Sequence, residues 1–296
     1  MVATKEQVEL LVIVGPTASG KSALAMRIAK QFNGEIITAD SRAIYKGMDI
    51  GTAKPSKADQ AVIRHWGIDL IKPGENFSAA KFKVYANTKI ADIKKRGRLP
   101  ILVGGTGLYI DAVLFDFKFE TEPDDKLRHR LEAKNVEQLQ AIIKQQKLPM
   151  PANYQNKRHL IRTIERQGKV GSKKSKPPNG SLIVGLYPSD QILKANINAR
   201  AEQMFKDGVL QEFKDLTKHY AADDVVSGGI IYKLCSQLNA GETNLEQTKD
   251  LFKTSDWQYA RRQRTWFKRN KFIQWFETPE SAFLSVTEQL NNQIGA

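Results

Sequence analysis

The chain contains, after a short apolar run, the stretch Gly15-Pro16-Thr17-Ala18-Ser19-Gly20-Lys21-Ser22. It fits the pattern G-x-x-x-x-G-K-[ST], in which glycines let backbone N–H groups close around phosphate oxygens. A β-branched strand is predicted before it at residues 10–14, and a helical pattern follows it at residues 23–29. This order predicts a phosphate-binding loop at a helix N-terminus, where the helix dipole favours anions. Lys21 would supply a cation, and the Ser22 hydroxyl a ligand for Mg²⁺.

The composition indicates a globular protein with a polyanionic partner. The 296 residues include 46 Lys and Arg against 32 Asp and Glu, a formal net charge of +14. Such an excess suits nucleic acid first and an acidic membrane surface second. No stretch is apolar for long enough to span a bilayer or to form a signal peptide. The single cysteine, Cys235, is predicted to be a buried hydrophobe, so we expect a cytoplasmic monomer without membrane association.

The pattern of apolar runs predicts an α/β fold. Short runs at residues 10–14, 35–39 and 99–103 alternate with helical stretches, which is typical of a parallel sheet flanked by helices, as in the P-loop NTPase-like folds. Ligands of such sheets bind at the carboxyl ends of the strands. Three polar or glycine-rich segments follow predicted strands: the phosphate loop, Asp40-Ser41-Arg42 and Gly104-Gly105-Thr106-Gly107.

Three segments are predicted along the chain. Residues 1–115 form the first part of the α/β core, and residues 116–180 form a helical insertion that ends in a lysine-rich loop at 171–180. Residues 181–296 return to the core with a strand at 181–186 and continue as helices from about 189.

The sequence leaves open both the role of Asp40 and the class of phosphate that the loop binds. Asp40 ends a predicted strand beside the phosphate loop, where a carboxylate is a helix cap, an indirect ligand of Mg²⁺, or a general base. A phosphate loop most often serves nucleoside triphosphates, so a kinase or NTPase is the first alternative. Against it, the strand at 99–103 ends in Gly104-Gly105, where such enzymes place an acidic ligand of Mg²⁺.

Five segments resemble the bacterial tRNA dimethylallyltransferases, and the similarity extends to the end of the chain. They are residues 15–22, Asp40-Ser41-Arg42-Ala43-Ile44-Tyr45-Lys46-Gly47-Met48-Asp49-Ile50-Gly51-Thr52-Ala53-Lys54-Pro55, Gly104-Gly105-Thr106-Gly107-Leu108-Tyr109, Arg158-His159-Leu160-Ile161-Arg162-Thr163-Ile164-Glu165 and Tyr259-Ala260-Arg261-Arg262-Gln263-Arg264-Thr265-Trp266-Phe267. The second segment is far more specific than any phosphate loop.

The resemblance implies transfer of a dimethylallyl group from dimethylallyl diphosphate to N6 of the adenosine just 3′ of the anticodon, position 37. The phosphate loop, Lys21 and Arg200 would then hold the diphosphate, with Mg²⁺ as cofactor, and stabilise the charge that builds on it. Asp40 would act as the general base and Thr106 would lie near the reacting atoms.

The resemblance also implies contacts with the tRNA anticodon stem-loop. The target nucleotide would contact Asp40, Ser41, Arg42, Ala43 and Thr106, and the anticodon loop Arg128, Arg158, His159, Leu160, Ile161 and Arg162. A basic helix face is predicted from the i, i+3, i+7 spacing of Arg261, Arg264 and Lys268, for which we expect phosphate contacts.

The sequence departs from the family pattern at two places. Ile231-Tyr232-Lys233 stands where the family usually has Gly-Tyr-Lys, and Asn196 stands where some members carry an arginine.

A second alternative function is an RNA-binding protein whose phosphate loop is a relic. Such a protein would not need to retain Lys21, Asp40 and Arg200 together.

Overall fold

The computed structural model describes residues 7–119, 125–169 and 171–294. They divide into two compact units. The first consists of the residues up to Leu114 and those from Pro177 onward, and the second is Phe115–Lys176. The predicted insertion, residues 116–180, begins one residue after the start of this second unit and ends four residues after its end.

The first unit is built on a parallel six-stranded sheet, which confirms the predicted α/β class. The strand order is β3-β2-β4-β1-β5-β6, and every neighbouring pair is parallel. The strands are β1 Leu10–Val14, β2 Gly34–Thr38, β3 His65–Trp66, β4 Leu99–Gly104, β5 Ser181–Leu186 and β6 Gln274–Phe276. The expectation that the chain is helical after residue 189 is wrong at β6, a three-residue edge strand too short to show a period of two.

Helices cover both faces of the sheet and extend the first unit. In chain order they are α1 Lys21–Gln31, α2 Lys57–Val62, α3 Ala79–Lys95 and α4 Gly107–Leu114 before the second unit. The second unit holds α5 Asp125–Glu132, α6 Val136–Gln145 and α7 Lys157–Glu165. After it come α8 Asp190–Lys206, α9 Val209–Thr217, α10 Ala222–Ser227, α11 Ile230–Asn239, α12 Leu245–Phe267 and α13 Pro279–Ile294.

β1 is an inner strand of the sheet, so the phosphate loop that follows it lies near the centre of the sheet. All five residues of this strand are buried, because β4 and β5 pair with its two edges and helices cover its two faces. The phosphate loop follows directly, and α1 begins at Lys21 after Gly20, whose φ of 87° lies in the left-handed region. The sheet therefore holds the loop at its carboxyl edge.

A second hydrophobic cluster joins the segment after β2 to helices late in the chain. Met48 packs in it with Phe213 of α9, Tyr232 and the buried Cys235 of α11, and Phe252 of α12. The long helix α12 thereby packs close to the loops that follow the strands. In the described part of the chain, no helix is both long enough and apolar enough to cross a membrane.

Candidate active site

A cleft of about 320 Å³ opens at the carboxyl ends of β1, β2 and β4. Its volume is in the range usual for small-molecule sites. The residues that line it come from the phosphate loop, the ends of the strands, the segment after β2, and α8: Thr17, Ala18, Gly20, Lys21, Ser22, Ala23, Ile36, Thr38, Asp40, Ala43, Thr52, Ala53, Pro55, His65, Val103, Gly104 and Arg200. The cleft therefore contains Lys21, Asp40 and Arg200, which are far apart in the sequence.

One wall of the cleft is built to bind an anion. Lys21 stands at the N-terminus of α1, and its ammonium donates a hydrogen bond of 3.0 Å to the carbonyl of Pro16. Burial lowers the pKa of Lys21 to about 8, with a raising contribution from Asp40 and a lowering one from Arg200. Arg200 reaches the loop from α8 and donates to the hydroxyl of Thr17. Two cations and a helix dipole thus converge on one loop.

Two side chains of α12, for neither of which the sequence predicts a role, hold this wall in place. Asp256 is buried and accepts a hydrogen bond of 2.8 Å from Arg200. Burial raises the pKa of Asp256, while Arg200 and Lys21 counter that shift. Gln263 is also buried and accepts a hydrogen bond of 2.8 Å from the backbone N–H of Thr17. The sequence signal that could have found them is their spacing of seven residues, which places two polar side chains on the buried face of α12.

The segment after β2 carries the candidate base on the lining of the same cleft. Asp40 follows β2, is half-buried, and accepts a hydrogen bond of 2.8 Å from the backbone N–H of Arg42. The hydroxyl of Thr106 accepts a hydrogen bond of 3.0 Å from the N–H of Ser41 and is also bonded to the hydroxyl of Tyr259. Burial, with the negative charge of Asp40 nearby, raises the pKa of Tyr259 to about 12, so this phenol stays protonated. Tyr259 is a further site residue to which sequence reasoning gave no role.

Gly104 leaves no room for a carboxylate at the end of β4. A Cβ at this position would lie 2.1 Å from the carbonyl oxygen of Ala39, so the two neighbouring strands approach too closely for any side chain. The acidic ligand of Mg²⁺ that kinases place on such a strand cannot be accommodated here. This geometry adds a physical reason to the sequence argument against a kinase.

The segment from Tyr45 to Pro55 is held by a buried lysine and by carboxylates. Lys54 Nζ, 2% exposed, donates to the carbonyl of Tyr45 and to the carboxylates of Asp49 and Asp69, at 2.5–2.7 Å. The carboxylate of Glu212 accepts hydrogen bonds of 2.7–2.9 Å from the backbone N–H groups of residues 49–51. Glu212 also accepts one of 2.7 Å from the hydroxyl of Tyr232. These contacts explain the lysine of this segment and keep Thr52, Ala53 and Pro55 on the cleft wall.

The predicted basic face of α12 needs a correction at Arg264. This side chain is 6% exposed and points inward, where it donates to the carboxylate of Asp190 and to the carbonyl of Pro188 and lies over the ring of Tyr187. The spacing rule placed it with Arg261 and Lys268, both of which are exposed. The prediction that Arg264 contacts phosphate is therefore wrong for the residue as it packs here.

The exposed groove on α12 is formed instead by residues with the spacing i, i+3, i+4. It has a volume of about 490 Å³ and is lined by Gln258, Arg261, Arg262, Thr265, Trp266 and Arg269. Three arginines and one tryptophan on an open groove are suited to a polyanion that also offers stacking faces. The indole N–H of Trp266 is held by a hydrogen bond of 2.8 Å to Asp111.

The second unit carries an arginine surface of its own. Arg158, Arg162 and Arg166 recur every four residues along α7 and its end, and burial together with these arginines and Arg128 lowers the pKa of Arg162. Arg128 makes a bidentate ion pair with Glu165, at 2.7 and 2.8 Å. Because several positive charges are gathered here, this surface attracts anions.

Within α7 the sequence prediction needs a second correction. Leu160 and Ile161 are buried in the core of the second unit, where they pack with Leu131, Leu139 and Ile143. Their side chains cannot reach a ligand on the surface, whereas His159 is exposed. Ala43 is buried too, but it lines the cleft.

The two departures from the family pattern have local explanations. Asn196 donates a hydrogen bond of 3.0 Å to the carbonyl of Ala18, so a neutral side chain braces the phosphate loop there. Ile231 is buried in the second hydrophobic cluster beside Tyr232. Neither change removes a group from the cleft.

A central phosphate loop and one cleft that holds two cations and a carboxylate define a phosphate-loop protein of the α/β class that carries a candidate base. The chain belongs to the IPP transferase family, whose family model matches residues 43–270. It is 36% identical to the tRNA dimethylallyltransferase of Oceanobacillus iheyensis over 95% of each chain. It is 34% identical to that of Staphylococcus haemolyticus, over 96% of this chain and 91% of the relative.

Solved structures agree with this assignment. The full-length tRNA isopentenylpyrophosphate transferase of Bacillus halodurans matches with a TM-score of 0.72 and 34% identity, covering 98% of this chain and 99% of that one. A eukaryotic dimethylallyltransferase acting on tRNA matches with a TM-score of 0.73 and 25% identity, covering 92% of this chain and 74% of that one.

Proposed function

We propose that this enzyme transfers the dimethylallyl group from dimethylallyl diphosphate to N6 of the adenosine immediately 3′ of the anticodon of tRNA, position 37, and releases diphosphate. The observation that carries the proposal is the shared cleft of Lys21, Arg200 and Asp40, which brings two cations and a carboxylate into one site. That arrangement suits a reaction in which an anion leaves and a proton is removed.

In this reaction the cations and the carboxylate of the cleft each have one task. The allylic C–O bond breaks and its electron pair leaves with the diphosphate, while the lone pair of N6 forms the new C–N bond. The phosphate loop with Lys21 and Arg200 stabilises the charge of the departing diphosphate. The carboxylate of Asp40 accepts the proton that N6 loses.

Mg²⁺ is compatible with the residues at the loop. The side chain of Ser22 is exposed and lines the cleft, so its hydroxyl is accessible as a ligand. Mg²⁺ usually takes only one or two protein oxygens and completes its shell with phosphates and water. Bound there, it would add positive charge beside the diphosphate.

Two exposed arginine surfaces support tRNA as the acceptor. The groove of α12 offers Arg261, Arg262 and Arg269, and α7 of the second unit offers Arg158 and Arg162. Phosphate neutralisation supplies most of the affinity of a protein for RNA. A base that reacts must also leave its stack, which costs little in a loop. We propose that these arginines contact the anticodon stem-loop.

The direct test is transfer of radiolabel from dimethylallyl diphosphate to unmodified tRNA with Mg²⁺. Label at the adenosine 3′ of the anticodon supports the proposal, and no label with folded, tRNA-binding protein contradicts it. Thermal unfolding separates the kinase alternative, which requires ATP with Mg²⁺ to stabilise the protein more than dimethylallyl diphosphate with Mg²⁺ does.

A further inference from the structure

Gln263 uses both ends of its amide to join two loops of the active site. Its Oε1 accepts a hydrogen bond of 2.8 Å from the backbone N–H of Thr17, and its Nε2 donates one of 3.0 Å to the carbonyl of Gly105. The side chain is 6% exposed. Since a buried amide needs partners at both ends, its orientation is determined by these two loops together.

The two loops carry opposite halves of the chemistry. The loop that contains Thr17 leads into Lys21 and receives Arg200, so it belongs to the wall for the leaving group. The loop that contains Gly105 continues into Thr106, whose hydroxyl accepts from Ser41 next to the candidate base. Gln263 therefore lies at the junction of the two loops.

The backbone N–H and the hydroxyl of Thr17 are both engaged by distant parts of the chain. Backbone N–H groups of such a loop usually point at the anion, but the one of Thr17 is directed at Gln263. The hydroxyl of Thr17 is also engaged, because it accepts from Arg200. The phosphate loop is therefore held at Thr17 by side chains from α8 and α12.

The contact between Gln263 and Gly105 requires a glycine at position 105. A Cβ added to Gly105 would lie 2.1 Å from Nε2 of Gln263, so any larger residue would push the amide away. The backbone of Gly105 is outside the left-handed region, so alanine can adopt it. The contact can therefore be broken from either side.

We propose that Gln263 is a positioning residue that sets the separation between the diphosphate loop and the loop of the base. This rests on the proposed function, because it assigns those loops to the two halves of dimethylallyl transfer. Misplacing reacting groups by about 1 Å can cost on the order of 100-fold in rate. Loss of the bridge should therefore lower kcat while each loop still binds its own ligand.

The test is a double-mutant cycle of Gln263→Leu and Gly105→Ala, with Gln31→Leu as a matched control. Gln31 is exposed at the far end of α1. We expect each single variant to lower kcat by roughly 10- to 100-fold. We expect the Kd for inorganic pyrophosphate and the Kd for tRNA to change little once each is referred to the folded fraction, whereas the melting temperature of Gln263→Leu should fall because two buried backbone groups lose their partners. The double variant should be no slower than the slower single variant, because both remove one contact.

Three results would overturn the inference. The first is wild-type kcat in a folded Gln263→Leu or Gly105→Ala protein. The second is multiplicative losses in the double variant, and the third is a loss of kcat matched by an equal loss of folded protein. Gly105→Ala retains the side chain of Gln263, so this variant tests the proposal if Gln263→Leu does not fold. Wild-type protein is assayed alongside, and absence of its transfer activity would count against the proposed function rather than against the bridge.

Discussion

Arg200 of α8 donates a hydrogen bond of 2.8 Å to the buried carboxylate of Asp256 of α12, and the same guanidinium nitrogen donates to Thr17 of the phosphate loop. Asp256 thus fixes the cation that contacts the phosphate loop. We expect Asp256→Ala to lower kcat by roughly tenfold, because a free guanidinium no longer keeps its place. Asp250→Ala, which removes an exposed carboxylate of the same helix, is the control in steady-state kinetics. Equal rates for the two variants would show that Arg200 needs no partner.

The lowered pKa of Lys21 predicts how activity depends on pH. In the free enzyme this group loses its proton as the pH rises through about 8, and the neutral amine attracts diphosphate less. We therefore expect kcat/KM for dimethylallyl diphosphate to fall above pH 8, since this parameter reports the free enzyme. Arginine keeps its charge throughout this range, so Lys21→Arg should remove the inflection. Its persistence in that variant would assign it to another group.

Replacement of Asp40 separates catalysis from RNA binding. Asp40→Asn keeps an oxygen that can accept from the N–H of Arg42 but cannot take a proton at neutral pH. We expect turnover to fall by roughly 100-fold or more, the range for a lost general base. The Kd for tRNA, measured by filter binding, should stay nearly unchanged. Full turnover in Asp40→Asn would remove this residue from the mechanism.

Arg261 and Arg264 should behave in opposite ways, although they are three residues apart on one helix. Arg264→Ala removes buried hydrogen bonds of a charged group, so we expect a loss of about 1–3 kcal/mol in the free energy of unfolding. Arg261→Ala should leave stability unchanged and lower the salt dependence of tRNA binding by about one phosphate contact. Urea unfolding and binding at several salt concentrations test both. A reversed pattern would restore the prediction made from spacing alone.

Glu212 should control the order of the segment after β2. Glu212→Ala leaves the N–H groups of Asp49, Ile50 and Gly51 without their acceptor. A hydrogen bond to a charged group contributes about 1.5–3 kcal/mol, so hydrogen exchange at these amides should quicken by roughly tenfold or more. Glu202→Ala, which removes two ion pairs with lysines of α12, should leave this exchange unchanged. Unaltered exchange in Glu212→Ala would mean that other contacts hold the segment.

The sequence by itself determined the α/β class, the phosphate loop and the family resemblance. Each depends on residues close together in the chain: an apolar strand before the loop at residues 15–22, and a short block from Asp40 to Pro55. Local spacing is enough for such features, because a strand, a tight loop and a helix start are decided by neighbouring residues.

Only the tertiary structure decided which polar residues of the late helices serve the site. The contacts of Asp256 with Arg200 and of Gln263 with Thr17 join positions 56 and 246 residues apart. Arg264 shows the same limit, because helical spacing groups it with Arg261 but does not say which side of α12 faces the core. That choice depends on what packs against the helix, here Tyr187, Pro188 and Asp190, and packing partners are a property of the folded chain.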